Sequence, residues 1–468
     1  MKKRRRSRVP EVVILGAGLT GLSCAYNLEK HGFFDFQIFE KDSYPGGLLR
    51  SFKQDGFTFA YTGHLLHVNN NDFYNFLKDI SDINNFDLVT RNSAIFMDNK
   101  IVPYPFQMNL AGLDTNIIIN CIYDFINKKN IKVKSFHDWA KKHFGKSITK
   151  YFFDPYNSKL LSYDTKKITP SWTGRFVPKT DLRKLLTGAL SPDFSKNIGY
   201  NSQFYYPKQG GIQFLIDNIC KKLKNKIYTN HNAIKIDFLN KIIYFENGNF
   251  IKYKKLISTL PLNSLLDKIE ERSDTNLKIL SKKLLCNSVI NFNLGFNTNN
   301  LGNKHWIYYP EKQFNFYRIG FWNNINPNST PENHTAIYGE TSCLSGTKTD
   351  TQIKILKEQL LEKSIEQALK KLNLKQSNIA TKNILHIKHA YVIYDFWREK
   401  NLNQILKSLE HLSINSIGRF GEWKYSSMQE AYLDAKKTTE NLLKTLLFDS
   451  NINISKRRGN NEAVDRIL

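Results

Sequence analysis

Near the start of the chain, apolar residues follow the order strand, turn, helix, strand. Val12 to Leu15 are consecutive apolar residues that run directly into Gly16-Ala-Gly-Leu-Thr-Gly21. A second apolar run, Phe36 to Phe39, ends in Glu40. Between them, apolar residues recur at the three- and four-residue spacing of an amphipathic helix, at Leu22, Ala25, Tyr26 and Leu28. This succession predicts a βαβ unit with a glycine-rich turn.

The glycines of this turn have the spacing G-x-G-x-x-G, and each has a physical task. Gly16 permits the tight turn, Gly18 lets the backbone approach a pyrophosphate, and Gly21 lets the helix pack close to the strand. The pyrophosphate then lies at the helix N-terminus, whose free N–H groups favour an anion. The Glu40 carboxylate can accept both hydroxyls of an adenosine ribose, and an acid there argues against a 2′-phosphate. We therefore predict a dinucleotide-binding site.

The remaining pattern divides the chain into segments of different character, some alternating, some helical and some rich in short strands. The predicted helix 428–447 closes the last alternating segment, and the basic tails 1–8 and 448–468 are expected to be flexible. The predicted domains are a discontinuous dinucleotide-binding domain from 9–80, 203–265 and 380–447, an inserted helical domain from 105–195, and an antiparallel sheet domain from 85–104 and 270–345.

Charge and composition narrow the classes of protein. The 468 residues are 41% hydrophobic, which suits a globular enzyme, and 68 Lys and Arg against 42 Asp and Glu give a net charge of +26. This balance suits anionic substrates such as nucleotide sugars, but AT-biased coding is the preferred explanation of a chain rich in Lys, Asn and Ile. The sequence contains no stretch of 18 apolar residues, so no transmembrane helix is predicted. The apolar run that follows the basic start is too short for a signal peptide.

Cysteine and histidine spacing gives no metal site. The five cysteines are scattered without C-x-x-C spacing, so we expect neither a disulfide framework nor a metal centre, and a cytoplasmic location follows as the default. His64 and His67 lie three residues apart, but no further ligand residues cluster near them. A polar role for His64 beside a cofactor is the preferred interpretation.

A second glycine pair follows the acid at Gly46-Gly47-Leu48, and it is similar to the pair in flavoproteins of the amine oxidase superfamily. From about residue 10 to 447, the chain resembles the UDP-galactopyranose mutase family of that superfamily, nearer its eukaryotic-type branch. The resemblance rests on these motifs in this order: Gly16-x-Gly18-x-x-Gly21, Gly46-Gly47-Leu48, Val102-Pro-Tyr-Pro-Phe-Gln107, Pro155-Tyr-Asn-x-Lys159, Trp172 with Gly174-Arg175, Trp306-Ile-Tyr308, Phe316-Tyr-Arg318 and Gly418-Arg-Phe-Gly-x-Trp-x-Tyr425.

This resemblance implies an α/β fold, in which a Rossmann-type FAD-binding domain carries an inserted helical domain and an antiparallel β-sheet substrate domain. It also implies a mutase that interconverts UDP-galactopyranose and UDP-galactofuranose for cell-surface glycan synthesis. In that family the N5 atom of reduced FAD bonds to the sugar as UDP leaves, so there is no net redox change. NAD(P)H is a candidate external reductant, and a homo-oligomer is a candidate assembly; no nucleic-acid partner is expected.

The resemblance also assigns roles to individual residues. Arg175 and Arg318 would hold the diphosphate as catalytic residues, and His64 would lie against the flavin. Substrate-binding residues would be these two arginines with Tyr104, Gln107, Asn157, Tyr308 and Tyr425. Cofactor-binding residues would be Gly16, Ala17, Gly18, Gly21, Glu40, Lys41, Gly47, Leu48, His64, Ala233, Gly418, Arg419 and Met428.

Some positions depart from the family pattern. The family's Asp-x-Gly-Gly-His is replaced here by Ala60-Tyr-Thr-Gly-His64, and the tryptophan after Pro-Tyr-Asn-x-Lys is replaced by Leu161. The segment from Tyr425 to Met428 is also shorter than in the eukaryotic-type enzymes. Redox-linked loop movement and the identity of the sugar are therefore open.

Two other functions remain as alternatives. An FAD-dependent oxidoreductase of the amine oxidase or protoporphyrinogen oxidase type would use the same scaffold but would oxidise its substrate. A nonenzymatic scaffold that binds anionic lipid or nucleic acid through its basic surface is the third, although no recognition motif for either is visible.

Overall fold

The computed structural model describes residues 9–174, 176–191, 202–270, 277–299, 301–344 and 350–464. The strands in these residues are β1 (Val12–Leu15), β2 (Phe36–Phe39), β3 (Ser51–Gln54), β4 (Phe57–Ala60), β5 (Phe86–Thr90), β6 (Ser93–Met97), β7 (Lys100–Pro103), β8 (Gln203–Pro207), β9 (Ile227–Tyr228), β10 (Ala233–Asp237), β11 (Ile242–Phe245), β12 (Phe250–Lys252), β13 (Lys255–Ser258), β14 (Cys286–Phe296), β15 (Trp306–Tyr308), β16 (Arg318–Phe321), β17 (Thr335–Leu344), β18 (Ile379–Val392) and β19 (Ile414–Ser416). The α-helices are α1 (Leu19–Lys30), α2 (Asn71–Ile80), α3 (Thr115–Ile126), α4 (Phe136–Ile148), α5 (Asp154–Leu161), α6 (Leu182–Leu190), α7 (Gln213–Lys222), α8 (Leu262–Lys268), α9 (Leu277–Lys283), α10 (Trp322–Ile325), α11 (Asp350–Lys371), α12 (Phe396–His411), α13 (Gly418–Gly421) and α14 (Met428–Val464).

A parallel sheet of strand order β19-β13-β1-β2-β9 confirms the predicted Rossmann-type unit. Strand β1 is buried along its whole length and pairs in register with β2 on one side and β13 on the other. Because both faces of such a sheet are covered by helices, its central strand is a continuous apolar run. Both predicted strands have the expected bounds, and α1 begins at Leu19, three residues before the first helical position that the spacing indicated.

A second, mostly antiparallel sheet has the order β18-β14-β17-β16-β15-β6-β7, with β15 and β6 paired in parallel. Its long strand β14 is buried throughout. Strand β18 pairs with β14, although the sequence analysis placed residues 380–392 with the FAD-binding segments. Burial alternates along β18, as expected for an edge strand with one solvated face.

Helices α3 to α6 follow β7 in the chain and precede β8, within the segment 105–195 that is predicted as a helical insertion. Helix α4 begins with a capping box between Ser135 and Asp138. The ammonium group of Lys159, on α5, donates to the carbonyls of Tyr309 at 2.7 Å and Glu311, beyond β15. This side chain therefore fixes α5 against the second sheet.

The C-terminal helix is longer than the sequence analysis predicted. Helix α14 continues to Val464, so residues 448–464, expected as a flexible tail, extend the helix. No proline interrupts the backbone hydrogen bonds along this stretch. Within the described ranges, no helix is long and apolar enough to cross a membrane.

Candidate functional site

Two glycine turns meet at the carboxyl edge of the parallel sheet. Gly16 follows β1 with a φ of +96°, which favours glycine, and a Cβ there would lie 2.3 Å from Thr259 Oγ1. The main chains of Gly18 and Gly46 form a β-bridge, and the Gly46 N–H donates to the Ala17 carbonyl at 2.8 Å. Both turns border a cavity of about 730 Å³. The two predicted glycine motifs thus lie at one site.

The N-terminus of α1 borders this cavity without a side-chain cap. At Gly18, its N-cap residue, no described residue has a heavy atom within 4 Å of where a Cβ would stand. At Gly21 the packing is the opposite, because a Cβ would lie 1.9 Å from the Gly16 carbonyl oxygen. Uncapped N–H groups at a helix start favour anions. The geometry leaves room for an anion beside Gly18 and none for a side chain at Gly21.

Glu40 is buried at the end of β2, on the cavity wall. One carboxylate oxygen accepts the Ala17 N–H at 2.8 Å, and the other accepts the Asp42 N–H at 3.0 Å. A carboxylate has about four acceptor positions, so this fixed group keeps acceptor capacity for ligand hydroxyls. The other predicted cofactor residues that line the cavity are Lys41, Gly47, Leu48, His64, Ala233, Arg419 and Met428.

The chain reaches the cavity again at α13. Gly418 has a φ of +80°, and a Cβ there would lie 2.5 Å from Thr20 Oγ1, on α1. The next residue, Arg419, lines the cavity and donates to the carbonyls of Ser426 at 2.6 Å and Ala390 at 3.1 Å. Because these partners are neutral, the positive charge of Arg419 stays at the cavity.

His64 lies on the cavity wall near two arginines. Thr62 Oγ1 is 3.2 Å from the Nδ1 atom of His64. Burial, together with the positive charges of Arg419 and Arg318, lowers the pKa of the imidazole to about 3. The ring is therefore neutral at pH 7 and offers one N–H donor and one acceptor.

Arg318 forms a buried ion pair with Glu340, its neighbour across β16 and β17. Arg318 Nε donates to Glu340 Oε2 at 2.6 Å, and Nη2 donates to Oε1 at 2.8 Å. The Glu340 side chain is 0% exposed, so its charge requires this partner. The sequence analysis gave Arg318 no partner within the protein and missed Glu340. The one feature of the sequence that could have indicated Glu340 is that it is the single charged residue of strand β17.

This pairing limits what Arg318 can offer a ligand. A guanidinium has five N–H donors, and the pair with Glu340 engages two of them. Arg318 also lines the cavity. It therefore reaches the cavity as an oriented donor whose charge is largely balanced by its own partner.

Tyrosine rings form much of the other end of the cavity. The ring centroids of Tyr104 and Tyr308 are 5.3 Å apart, and Tyr156 meets Tyr308 edge-on at 5.2 Å. Tyr391 stacks on Tyr425 at 6.3 Å. The structure thus brings together the three predicted substrate tyrosines. Tyr156 and Tyr391 were missed, although Tyr156 lies inside one of the motifs.

The two predicted substrate amides line the same cavity and are buried. Gln107 Nε2 donates to the Pro178 carbonyl, and Asn157 Nδ2 donates to the Phe153 carbonyl, both at 2.7 Å. Leu161, which replaces the family's tryptophan, is buried, whereas its neighbour Leu160 lines the cavity. The amides are therefore held in fixed orientations by the backbone.

Two tryptophans of the cavity wall carry unused donors. The Nε1 atoms of Trp172 and Trp306 are buried, and neither has a hydrogen-bond partner in the part of the chain that the structure describes. Buried donors without partners are rare in proteins and mark places where a ligand or water accepts. The sequence analysis used both residues as motif positions without assigning them a role.

Arg175, the second predicted diphosphate ligand, lies outside the described residues. Its neighbours Trp172 and Phe176 line the cavity, and the Phe176 ring meets Tyr425 edge-on at 4.6 Å. The assignment of Arg175 to the substrate stays a prediction.

Comparison of the sequence with known proteins matches one family model and several curated relatives. The family model of flavin-containing amine oxidoreductases matches residues 19–391. Protoporphyrinogen oxidase 2, chloroplastic/mitochondrial, of Arabidopsis thaliana is 23% identical over 254 residues, which cover 48% of this chain and 49% of the relative. The chain spans about half the length of the first curated relatives it matches.

Among solved structures, reduced UDP-galactopyranose mutase superposes with a TM-score of 0.86 and 25% identity, covering 94% of each chain. A putative protoporphyrinogen oxidase from Exiguobacterium sp. 255-15 superposes with a TM-score of 0.70 and 14% identity, covering 92% of this chain and 98% of the other. The second likeness concerns the fold alone.

Proposed function

Because this chain belongs to the flavin-containing amine oxidoreductase family and is a flavin-dependent enzyme of that superfamily, we propose that it is a nucleotide-sugar mutase. The proposed reaction interconverts UDP-galactopyranose and UDP-galactofuranose without net redox change. The observation that carries the proposal is the likeness to reduced UDP-galactopyranose mutase over 94% of both chains.

The residues at the first end of the cavity fit FAD. The space beside Gly18 and the uncapped α1 N-terminus suit its pyrophosphate, and the Glu40 carboxylate suits its ribose hydroxyls. Gly47 would complete this end of the site, and Arg419, whose guanidinium lies 5.0 Å from the Tyr425 ring centroid, would lie where the cofactor meets the tyrosines. Reduced FAD, when bound, supplies the nucleophile that such an isomerisation needs.

At the second end of the cavity, the chain's own residues would bind and orient the nucleotide sugar. A departing UDP carries a diphosphate, which needs donors and positive charge that are already in position. Arg318, oriented by Glu340, would supply paired N–H donors, and Arg175 would supply the second guanidinium. Hydroxyls of Tyr308 and Tyr425 would assist.

Neutral and apolar groups would keep this site selective. The imidazole of His64 is uncharged, so it can hydrogen-bond without attracting the diphosphate away from the arginines. Stacked tyrosines such as Tyr391 and Tyr425 offer flat surfaces and hydroxyl groups that suit a base or a sugar. Leu161, where the family has a tryptophan, is buried and is not one of the residues that line the cavity. The departures at 60–64 and between Tyr425 and Met428 remain, so a hexose other than galactose is the variant of this proposal to test first.

A porphyrinogen oxidase is the second candidate, because the curated sequence relatives are named protoporphyrinogen oxidases. It would begin its cycle with oxidised FAD and pass electrons to oxygen or a carrier. The unused indole donors of Trp172 and Trp306 favour a ligand rich in hydrogen-bond acceptors, such as a nucleotide sugar, over the largely apolar ring of a porphyrinogen.

The two candidates differ in which flavin state is active. We expect the dithionite-reduced holoenzyme, under anaerobic conditions, to convert UDP-galactose to the furanose with no further consumption of reductant. Chromatography of the nucleotide sugars measures the conversion. Arg175→Ala should lower kcat/KM by about two to three orders of magnitude, since one of two diphosphate guanidinium groups is lost.

Matched controls make this test decisive. Lys179→Ala removes a cation four residues beyond Arg175 and should leave the conversion unchanged. Oxidised enzyme should not form a fluorescent porphyrin from protoporphyrinogen. Porphyrin formation with oxygen uptake, and no isomerisation of UDP-hexoses by the reduced enzyme, would assign the chain to the second candidate.

A further inference from the structure

Helix α3 is apolar around most of its circumference, yet only one side packs against the protein. Cys121 and Phe125 are buried on the inner side. On the outer side, Ile119, Tyr123 and Ile126 are 56%, 64% and 58% exposed. Spacings of four and three residues place these three side chains on one face. Surface helices normally carry polar residues there.

Helix α6, which packs against α3, continues the pattern. Leu182, Leu186 and Leu190 are spaced by four residues and are 38%, 36% and 85% exposed. They border a shallow surface groove together with Arg183. We call the exposed apolar residues of the two helices, 119, 123, 126, 182, 186 and 190, the outer helical face. Exposed apolar residues clustered on two helices that pack together mark interaction sites.

The charges around the outer helical face are positive. Four exposed lysines, 128, 129, 132 and 134, follow the C-terminus of α3, and the segment 127–134 contains no acid. The acids at the start of the two helices are engaged elsewhere, because Asp114 caps α3 and Asp181 caps α6 through backbone N–H groups. Asp124, on α3, accepts from the Ser147 hydroxyl, and no carboxylate of the described residues forms an ion pair with the four lysines. The surface therefore combines exposed apolar side chains with positive charge.

We infer that the outer helical face docks on an anionic lipid bilayer. Its six apolar side chains enter the boundary between headgroups and acyl chains, and the lysines of 127–134 lie among the lipid phosphates. A second copy of the chain fits poorly, because two such faces would bring like charges together. Nucleic acid fits poorly as well, because its phosphates offer no partner for isoleucine and leucine side chains.

Sedimentation of the full-length holoenzyme with vesicles tests this inference. We expect binding to phosphatidylcholine vesicles that contain phosphatidylglycerol, weaker binding to phosphatidylcholine alone, and loss of binding in high salt. Lys128→Gln/Lys129→Gln/Lys132→Gln should lower partitioning by about 100-fold, since each cation near an anionic surface contributes about fivefold. Ile119→Ser/Tyr123→Ser/Ile126→Ser should lower it by about tenfold or more, since apolar area stays in water.

Two matched control variants distinguish binding through the outer helical face from nonspecific binding to vesicles. Lys221→Gln/Lys222→Gln/Lys224→Gln makes the same charge change near α7, and Leu239→Ser/Phe250→Ser removes apolar residues that are 52% and 62% exposed near β10 to β12. Both should bind vesicles as the parent does. Retained flavin colour and thermal midpoint show that each variant is folded.

Several results would overturn the inference. Equal binding of the α3 variants and their controls would mean that the face is not the contact. A second copy would be the partner if sedimentation velocity shows that the parent is a homodimer, that Ile119→Ser/Tyr123→Ser/Ile126→Ser is a monomer, and that the parent does not bind vesicles. Retention on nucleic acid but not on vesicles would identify nucleic acid as the partner. None of these outcomes depends on the proposed reaction, which the same variants should retain in solution.

Discussion

Replacing Arg318 separates a structural role of its ion pair from a role in ligand binding. In Arg318→Ala the Glu340 carboxylate stays 0% exposed but loses both guanidinium donors, at 2.6 and 2.8 Å. Breaking a buried pair from one side costs about 3–5 kcal/mol of unfolding free energy. If Arg318 also binds the departing diphosphate, kcat/KM falls by about two to three orders of magnitude.

A double variant divides these two effects. Arg318→Met/Glu340→Gln removes both charges and keeps similar side-chain length. Replacing a whole buried pair by neutral groups is often close to neutral for stability, so we expect the free energy of unfolding to return to within about 1–2 kcal/mol of the parent. Activity should not return, because the cavity still lacks the guanidinium. Glu340→Gln alone should give an intermediate activity, because Arg318 remains but is less firmly oriented.

The assays are urea unfolding followed by tryptophan fluorescence, conversion of UDP-galactose by reduced enzyme, and UDP binding by calorimetry. Two results would contradict the assigned roles of Arg318. Arg318→Ala with parental stability would mean that Glu340 does not depend on this partner. A double variant that regains activity together with stability would mean that the guanidinium serves the fold alone.

Two further predictions concern the first turn and acid stability. Gly21→Ala should prevent folding, since its Cβ would lie 1.9 Å from a carbonyl oxygen, whereas Gly18→Ala should fold but bind FAD more weakly. Circular dichroism measures folding and flavin titration measures FAD binding. Equal effects of the two substitutions would contradict the packing described at these glycines. Burial lowers the pKa of His305 to about 4, so the unfolded chain takes up its proton first and stability falls between about pH 6.5 and 4, by roughly 1.4 kcal/mol per pH unit. His305→Asn should remove this share of the pH dependence of urea midpoints, and an unchanged slope would show that His305 is not responsible.

The features that the sequence predicted correctly are those that local physics determines. The bounds of β1 and β2 follow from uninterrupted apolar runs, and the turn at Gly16 follows from a backbone that only glycine adopts readily. The convergence of two glycine motifs could be predicted because each has an established geometric task. These signals need no knowledge of distant contacts.

The features that were missed depend on pairing between distant strands. Glu340 meets Arg318 because β16 and β17 lie in one register, and nothing within either strand shows which residues face each other. The place of β18 beside β14 is likewise a pairing between distant strands, which the sequence of β18 does not show. Tyr391 lines the cavity as a consequence of that same pairing.

The net charge of +26 on the whole chain does not determine the charge that the cavity offers a ligand. Each of the three arginines that line the cavity within the described residues has its own partner. Arg318 binds Glu340, Arg50 lies 3.1 Å from an Asp42 carboxylate oxygen, and Arg419 binds main-chain carbonyls. Two of these three charges are balanced locally, so Arg419 is the described arginine that contributes most to the attraction for an anion, together with Lys41, Lys388 and the start of α1. Lysines on the surface could therefore accumulate by coding bias without changing the site, since salt screens them beyond about 10 Å. Ligand specificity would follow from the oriented, partnered arginines, and steady-state binding should depend much less on ionic strength than the total charge suggests.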